Sequence, residues 1–162
     1  MSQGFEVKLA NKKELQELFE MSEEFLDPRA KGLGLEGRRV PNLGVVPPNP
    51  ITRLQGTDVI IARVNGKIAG FVYFGRYMQG VGKIHALSVV DSRRKMTIGG
   101  TLLQVATKRL LQKYERVILT AAVGAEPFYE KLAKQMNMEK KQERNWIIRK
   151  TIPKTKLTRR RK

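Results

Sequence analysis

A chain of 162 residues is long enough for one domain that buries roughly 70% of the surface its unfolded form exposes, and too short for two ordinary ones. With 41% hydrophobic residues and no apolar run near the ~18 residues that a bilayer crossing needs, it is expected to be a soluble protein. The absence of cysteine and a single histidine, His85, exclude disulfides, thiolate zinc sites, cysteine nucleophiles and histidine-rich metal clusters, so the chemistry is expected to be metal-free. The N-terminus, MSQGFEVKLANKKE, lacks the basic and apolar regions of a secretory signal, which predicts a cytoplasmic location. The net charge of +17 is spread unevenly: residues 1–27 carry −4, the middle of the chain +11 and residues 140–162 +10. Such a field attracts polyanions, whether nucleic acid, an acidic protein face or a phosphate-rich cofactor.

Along the chain, Phe5, Val7 and Leu9 alternate with polar or small neighbours, the pattern of a half-buried strand. Asn11 with Glu14 three residues on resembles a capping box. Leu15, Leu18, Phe19, Phe25 and Leu26 then follow near helical spacing until Asp27-Pro28, which predicts an amphipathic helix with an acidic outer face. Residues 29–57 are rich in Gly and Pro and show no sustained period. They predict a long loop with room for a short helix, placed near a binding site because compact domains seldom keep so long a connection without a function. Val59–Val64 and Ile68–Phe74 flank Asn65-Gly66, a strong hairpin signal. Lys83–Val90 predicts another strand, Thr101–Tyr114 a helix, Val117–Ala121 a buried strand and Glu126–Gln135 a short helix with Pro127 in its first turn. A weak strand near Met138 and a last one over Trp146–Ile152 complete a domain spanning residues 1–152. The basic tail, residues 153–162, has only Leu157 to bury and is expected to be disordered when alone.

Between the strand at 83–90 and the helix at 101–114 lies a turn that carries Arg93, Arg94, Lys95 and the pair Gly99-Gly100. A strand that turns directly into a helix presents free N–H groups and the positive helix end, which suit an anion. The same glycines equally suit a tight turn with close backbone packing. The whole stretch, Leu87-Ser-Val-Val-Asp-Ser-Arg-Arg94-Lys-Met-Thr-Ile-Gly99-Gly-Thr-Leu-Leu103, resembles the acetyl-CoA motif of the GNAT N-acetyltransferases: a strand, then Arg/Gln-x-x-Gly-x-Gly/Ala, then an amphipathic helix. The resemblance implies that the backbone of Leu87, Ser88 and Val89 pairs with the pantetheine arm. It also implies that Arg94, Lys95, Met96, Thr97, Ile98, Gly99 and Gly100 hold the pyrophosphate. Thr97 departs from the pattern, standing where the first motif glycine is expected.

Downstream, Ala125-Glu-Pro-Phe-Tyr129-Glu-Lys-Leu132 resembles a second GNAT segment, whose tyrosine protonates the leaving CoA thiolate. The resemblance makes Tyr129 the general acid; the alternative is an aromatic that packs beside Phe128. Two positions differ here as well: Ala122 replaces an expected Asn, and Asn137-Met138 an expected Gly-Phe. The order of elements from residue 5 to about 152 also matches the family's. The resemblance thus implies an α+β fold: a central, mostly antiparallel twisted sheet with flanking helices, in the order β-α-(α)-β-β-β-α-β-α-β-β.

Acetyl transfer also needs a donor to the thioester oxygen, which the family supplies from a strand N–H near Val89, and a base for the amine proton. Lys83 and Val117 stand where the family often places a carboxylate or tyrosine. His85, which period-two alternation puts on one face with Lys83 and Leu87, has an unperturbed pKa near ~6.5 that suits a base; a structural histidine or a water relay are the alternatives. The long loop offers Arg29, Lys31, Arg38, Arg39 and Arg53 against Glu36 and Asp58. That wall disfavours polyamines and aminoglycosides and favours an acceptor carried on something acidic, a protein amine or a nucleic-acid-associated substrate. Two function classes follow: an acetyl-CoA-dependent N-acetyltransferase, or a non-enzymatic protein of the same fold that uses its basic surface and the tail ending in Arg159-Arg-Arg-Lys162 on nucleic acid or an acidic partner.

Overall fold

The computed structural model describes residues 4–25, 39–40, 44–45, 47–51, 53–90, 97–120, 126–142 and 145–149. Within these lie β1 (Glu6–Leu9), α1 (Lys12–Glu20), a 3-10 turn (Ser22–Phe25), β2 (Arg39–Val40), β3 (Gly44–Val45), β4 (Thr57–Val64), β5 (Lys67–Met78), β6 (Val81–Val89), α2 (Ile98–Leu111), β7 (Arg116–Thr120), α3 (Glu126–Met136), β8 (Met138–Gln142) and β9 (Asn145–Arg149). Seven strands form one sheet in the order β1-β4-β5-β6-β7-β9-β8, antiparallel throughout except where β6 meets β7. This is the mixed α+β architecture the element order implies. No described helix is long and apolar enough to cross a membrane.

Alternation along the strands divides the core in two. Val59, Ile61, Ile68 and Phe71 face α1 and meet Leu15, Leu18 and Phe25. Ile60, Ala62, Val64, Val72 and Phe74 face the other way and meet Leu102, Leu103, Ala106 and Leu110 of α2 and Leu132 of α3. The hairpin between β4 and β5 turns on Asn65 and Gly66, both at positive φ (52° and 79°), the conformation for which an Asn-Gly pair is suited.

Helix α1 begins as its sequence predicts. Asn11 Oδ1 accepts the Glu14 N–H at 2.8 Å, and Glu14 Oε1 accepts the Asn11 N–H at 3.2 Å. Its end differs from the expectation of a helix continuing to Phe25 and Leu26. The Met21 N–H reaches back to the Leu18 and Phe19 carbonyls, and the chain tightens into the 3-10 turn. That change of pitch seats Phe25 edge-on against Phe71, ring centroids 5.0 Å apart, in the α1-side core. Glu14 also binds Lys8 (3.1 Å) and Arg63 (3.2 Å), and Arg63 reaches Glu17 at 2.8 Å, so β1, α1 and β4 are tied by one ion network.

The 29–57 segment is not structureless where it is described: β2 and β3 form a short antiparallel ladder, and β3 lies beside β6. Residues 47–51 and 53–56 are described without a helix, while 29–38, 41–43, 46 and 52 lie outside the described residues, as does the 153–162 tail. The final strand, β9, ends its described part at Arg149, and the weak strand near Met138 is β8, an edge paired to β9.

Candidate active site

The parallel pairing of β6 with β7 covers only Val81–Ile84 against Arg116–Leu119. From His85 onward the described pairing of β6 is with β5 alone, β7 being described only as far as Thr120. Leu87, Ser88 and Val89, the expected pantetheine-binding residues, lie beyond the described pairing with β7.

A bulge follows directly on that pairing. Tyr73 is paired with Ala86 and Phe74 with Ile84, so His85 is an extra residue without a cross-strand partner. The bulge reverses the alternation beyond it, which corrects one expectation. Leu87 and Val89 turn to the α2-side core, whereas His85 lies on Tyr73, whose ring belongs to the α1 side with Phe71 and Ala86. His85 therefore does not share a face with Leu87. The His85 and Tyr73 ring centroids are 5.0 Å apart, and His85 Nε2 is buried with no hydrogen-bond partner. Burial pushes the imidazole below its ordinary value of 6.5, the Lys83 ammonium pushes it further, and a hydrogen bond to the Arg76 backbone opposes both.

Tyr73, which the sequence did not single out, packs on that histidine. Tyr73 Oη accepts the Leu54 N–H at 3.1 Å and lies 3.3 Å from Thr57 Oγ1. Arg53 Nη1 donates to the Thr57 carbonyl, and Lys83 Nζ sits 4.7 Å above the Tyr77 ring. Gly75 makes this packing possible: a Cβ there would come within 2.4 Å of the Gly56 carbonyl and 2.5 Å of Thr57 Cα. A glycine inside a strand is the sequence signal of such a close approach.

On the other face, α2 starts beside β6. Ile98 is fully buried and anchors the helix, and Gly70 lies under it, leaving only 3.1–3.2 Å between a Cβ there and Ser88 O, Ile98 and Leu102. Thr97 is the N-cap residue and makes no side-chain cap hydrogen bond; the first turn carries no acidic residue. Among the described residues no side chain caps the first-turn amides, an arrangement that suits an incoming anion. A Cβ at Gly99 would sit 3.3 Å from Phe128 and 3.7 Å from Val89, and one at Gly100 3.4 Å from Leu132. These glycines admit the close approach of α3. Arg94, Lys95 and Met96 lie outside the described residues, as does Ala122.

Tyr129 is buried in the α2-side core, with its ring edge-on to Phe128 at 5.0 Å. Phe128 in turn covers Gly99, so the tyrosine is joined by one ring to the start of α2. The structure thus brings Leu87–Val89, Thr97–Gly100 and the start of α3 together beyond the described β6–β7 pairing, with His85 on the opposite face of the sheet.

A family model for the acetyltransferase (GNAT) domain matches residues 46–151. The chain belongs to the GNAT family. The match spans β6, the α2 turn and α3, the parts that the sequence motifs single out. No curated protein matches the GNAT chain in sequence. Among solved structures, a GNAT-family acetyltransferase from Staphylococcus aureus Mu50 is similar at a TM-score of 0.63 and 14% identity, covering 90% of this chain and 99% of its own. The PaiA N-acetyltransferase of Thermoplasma acidophilum, solved with coenzyme A, is similar at 0.60 and 16% identity over 92% and 99%. A GNAT acetyltransferase from Brucella melitensis, solved with acetyl-CoA, is similar at 0.60 and 13% identity over 94% and 93%.

Proposed function

We propose that this GNAT protein transfers an acetyl group from acetyl-CoA to an amine, with Leu87–Val89 and the start of α2 holding the donor, His85 taking the amine proton and Tyr129 protonating the departing sulfur. The observation that carries the proposal is the end of the described β6–β7 pairing at Ile84, immediately before a bulged histidine whose Nε2 is buried and has no hydrogen-bond partner among the described residues. Two solved relatives in complex with coenzyme A or acetyl-CoA support the choice of donor.

Acetyl-CoA, when bound, supplies an activated acetyl thioester, so a C–N bond forms as the C–S bond breaks and the products are an acetamide and the free thiol. The β6 backbone beyond Ile84 would hold the extended arm by main-chain hydrogen bonds. The first turn of α2 would meet the pyrophosphate, with Arg94 and Lys95 of the adjoining segment adding charge. His85 is suited to the base role because burial and Lys83 keep it neutral at pH 7, leaving a lone pair available. Tyr129 is joined through Phe128 to the donor side, which fits an acid acting on the sulfur. The basic loop and tail favour an acceptor on an acidic protein or associated with nucleic acid.

A second reading, a binding protein that keeps the fold without turnover, draws on Gly99 and Gly100, whose contacts with α3 account for glycine without a cofactor. Thiol release from acetyl-CoA in the presence of an amine panel separates the two. The enzyme reading predicts acceptor-dependent release that falls in the Tyr129→Phe variant; acetyl-CoA binding without release for any amine contradicts it.

A further inference from the structure

Three features fix how the His85 ring is held. It stands in a bulge of β6, since Tyr73 pairs with Ala86 and Phe74 with Ile84 and no residue of β5 lies opposite it. Its ring rests on that of Tyr73, with centroids 5.0 Å apart and planes inclined by 34°. Tyr73 is itself pinned from outside the strand, because its Oη accepts the Leu54 N–H at 3.1 Å and lies 3.3 Å from Thr57 Oγ1. The third feature is the hydrogen bond between the imidazole and the Arg76 backbone. The Arg76 N–H is already donated to the Gly56 carbonyl at 3.1 Å, which leaves the Arg76 carbonyl as the group that meets the ring. A carbonyl only accepts, so the ring nitrogen that faces it carries the proton. Nε2 is buried with no hydrogen-bond partner among the described residues, and the nitrogen bonded to Arg76 is therefore Nδ1.

A neutral imidazole has one N–H and one lone pair, and the bond made by one nitrogen decides the state of the other. An unheld ring exchanges between the two forms, and only one of them presents the lone pair at a given nitrogen. We propose that the Arg76 carbonyl and the Tyr73 ring are positioning groups for the base, holding His85 as the Nδ1–H tautomer with the lone pair kept on Nε2 for the acceptor amine. The carbonyl orients the ring as a carboxylate would, yet it brings no negative charge that would favour the imidazolium. A base that must be unprotonated at neutral pH is served by such a partner. This assignment rests on the base role proposed above and deepens it.

The chain has one histidine, so its two ring nitrogens can be read without overlap. The test is heteronuclear NMR of the full chain with labelled histidine, by long-range proton–nitrogen correlation at neutral pH, paired with thiol release from acetyl-CoA in the amine panel. Nδ1 should resonate as a protonated, pyrrole-type nitrogen and Nε2 as a bare, pyridine-type nitrogen, with no averaging between them; on acidification Nε2 is the one that should move. Tyr73→Phe keeps the stacked ring and should keep this pattern. Tyr73→Leu should draw the two resonances together and lower kcat by up to about 100-fold with KM largely kept, the cost of a small misplacement. His85→Asn sets an amide N–H where Nδ1–H stood. It should retain the thermal midpoint of the parent while losing about 10²- to 10⁴-fold in rate. Should Tyr73→Leu not fold, the parent spectrum and His85→Asn still decide the matter. An Nε2–H tautomer or two averaged nitrogens in the parent overturns the inference, and the base role is then judged by the thiol assay alone. The Nδ1–H form with an undiminished His85→Asn rate overturns the positioning and base roles together and leaves acetyl transfer standing. No thiol release by the parent with any amine overturns the transfer itself, and both roles with it.

Discussion

At the scale of single residues, His85 and Tyr129 carry separable predictions. A base acts only when neutral, and the folded environment holds the His85 value below 6.5, so kcat/KM should be flat near neutral pH and fall on an acid limb beneath 6.5. His85→Gln should lower the rate by about 10²- to 10⁴-fold, the ordinary worth of general acid-base catalysis. It should also abolish that limb, whereas a limb that persists in the variant assigns the proton to another group. Tyr129→Phe should lower kcat while leaving acetyl-CoA affinity within about twofold, because the ring is retained and only the hydroxyl is lost. Histidine was legible as a candidate because the chain has no other. Its face was not, since period-two counting assumes an unbroken ladder and a bulge shifts it by one residue. The contacts of Tyr73 with Leu54 and Thr57 were illegible for a related reason: they form across strands and a turn, and no local spacing records them.

At the scale of elements, the strongest local signals held. The Asn65-Gly66 hairpin, the Asn11–Glu14 capping box and the α2 helix all rest on backbone chemistry that neighbouring residues decide. Asn11→Ala should cost about 1 kcal/mol in chemical unfolding, the usual loss for an N-cap. Burial works against ionisation of Glu14, yet the Asn11 N–H, Lys8 and Arg63 outweigh it and hold the carboxyl below its ordinary 4.5. The unfolded chain therefore takes up the proton first as the pH falls, and the contribution present above about 4.5 is lost through the folded value. Glu14→Gln should flatten that part of the stability profile, and an unchanged profile would remove Glu14 from the network. What the sequence could not show was the early end of α1 and the β2–β3 ladder. Both depend on tertiary partners, Phe71 for the seating of Phe25 and β6 for the placing of β3.

At the scale of the whole molecule, the strand order places β6 in the middle of the sheet, with α2 and α3 on one face and α1 on the other. The residues proposed to bind the donor, Leu87–Val89 and Thr97–Gly100, and the proposed base, His85, lie on the α2 side and the α1 side of the sheet respectively. This division was legible only in outline, since the motif places the turn but not the side from which each substrate comes. The +17 charge belongs to this scale too. Contact of the basic tail with nucleic acid, proposed from that charge, should weaken steeply as salt rises, and removal of residues 153–162 should reduce the slope; a salt-insensitive interaction would deny the tail that role. The same charge means that many anions will bind weakly, so donor selectivity and not affinity alone is the discriminating property. The most direct test is calorimetric titration with acetyl-CoA at moderate salt, with ATP as the polyphosphate control. The account predicts saturable, micromolar, one-to-one binding of acetyl-CoA well above that of ATP, and equal or absent binding of the two would contradict it.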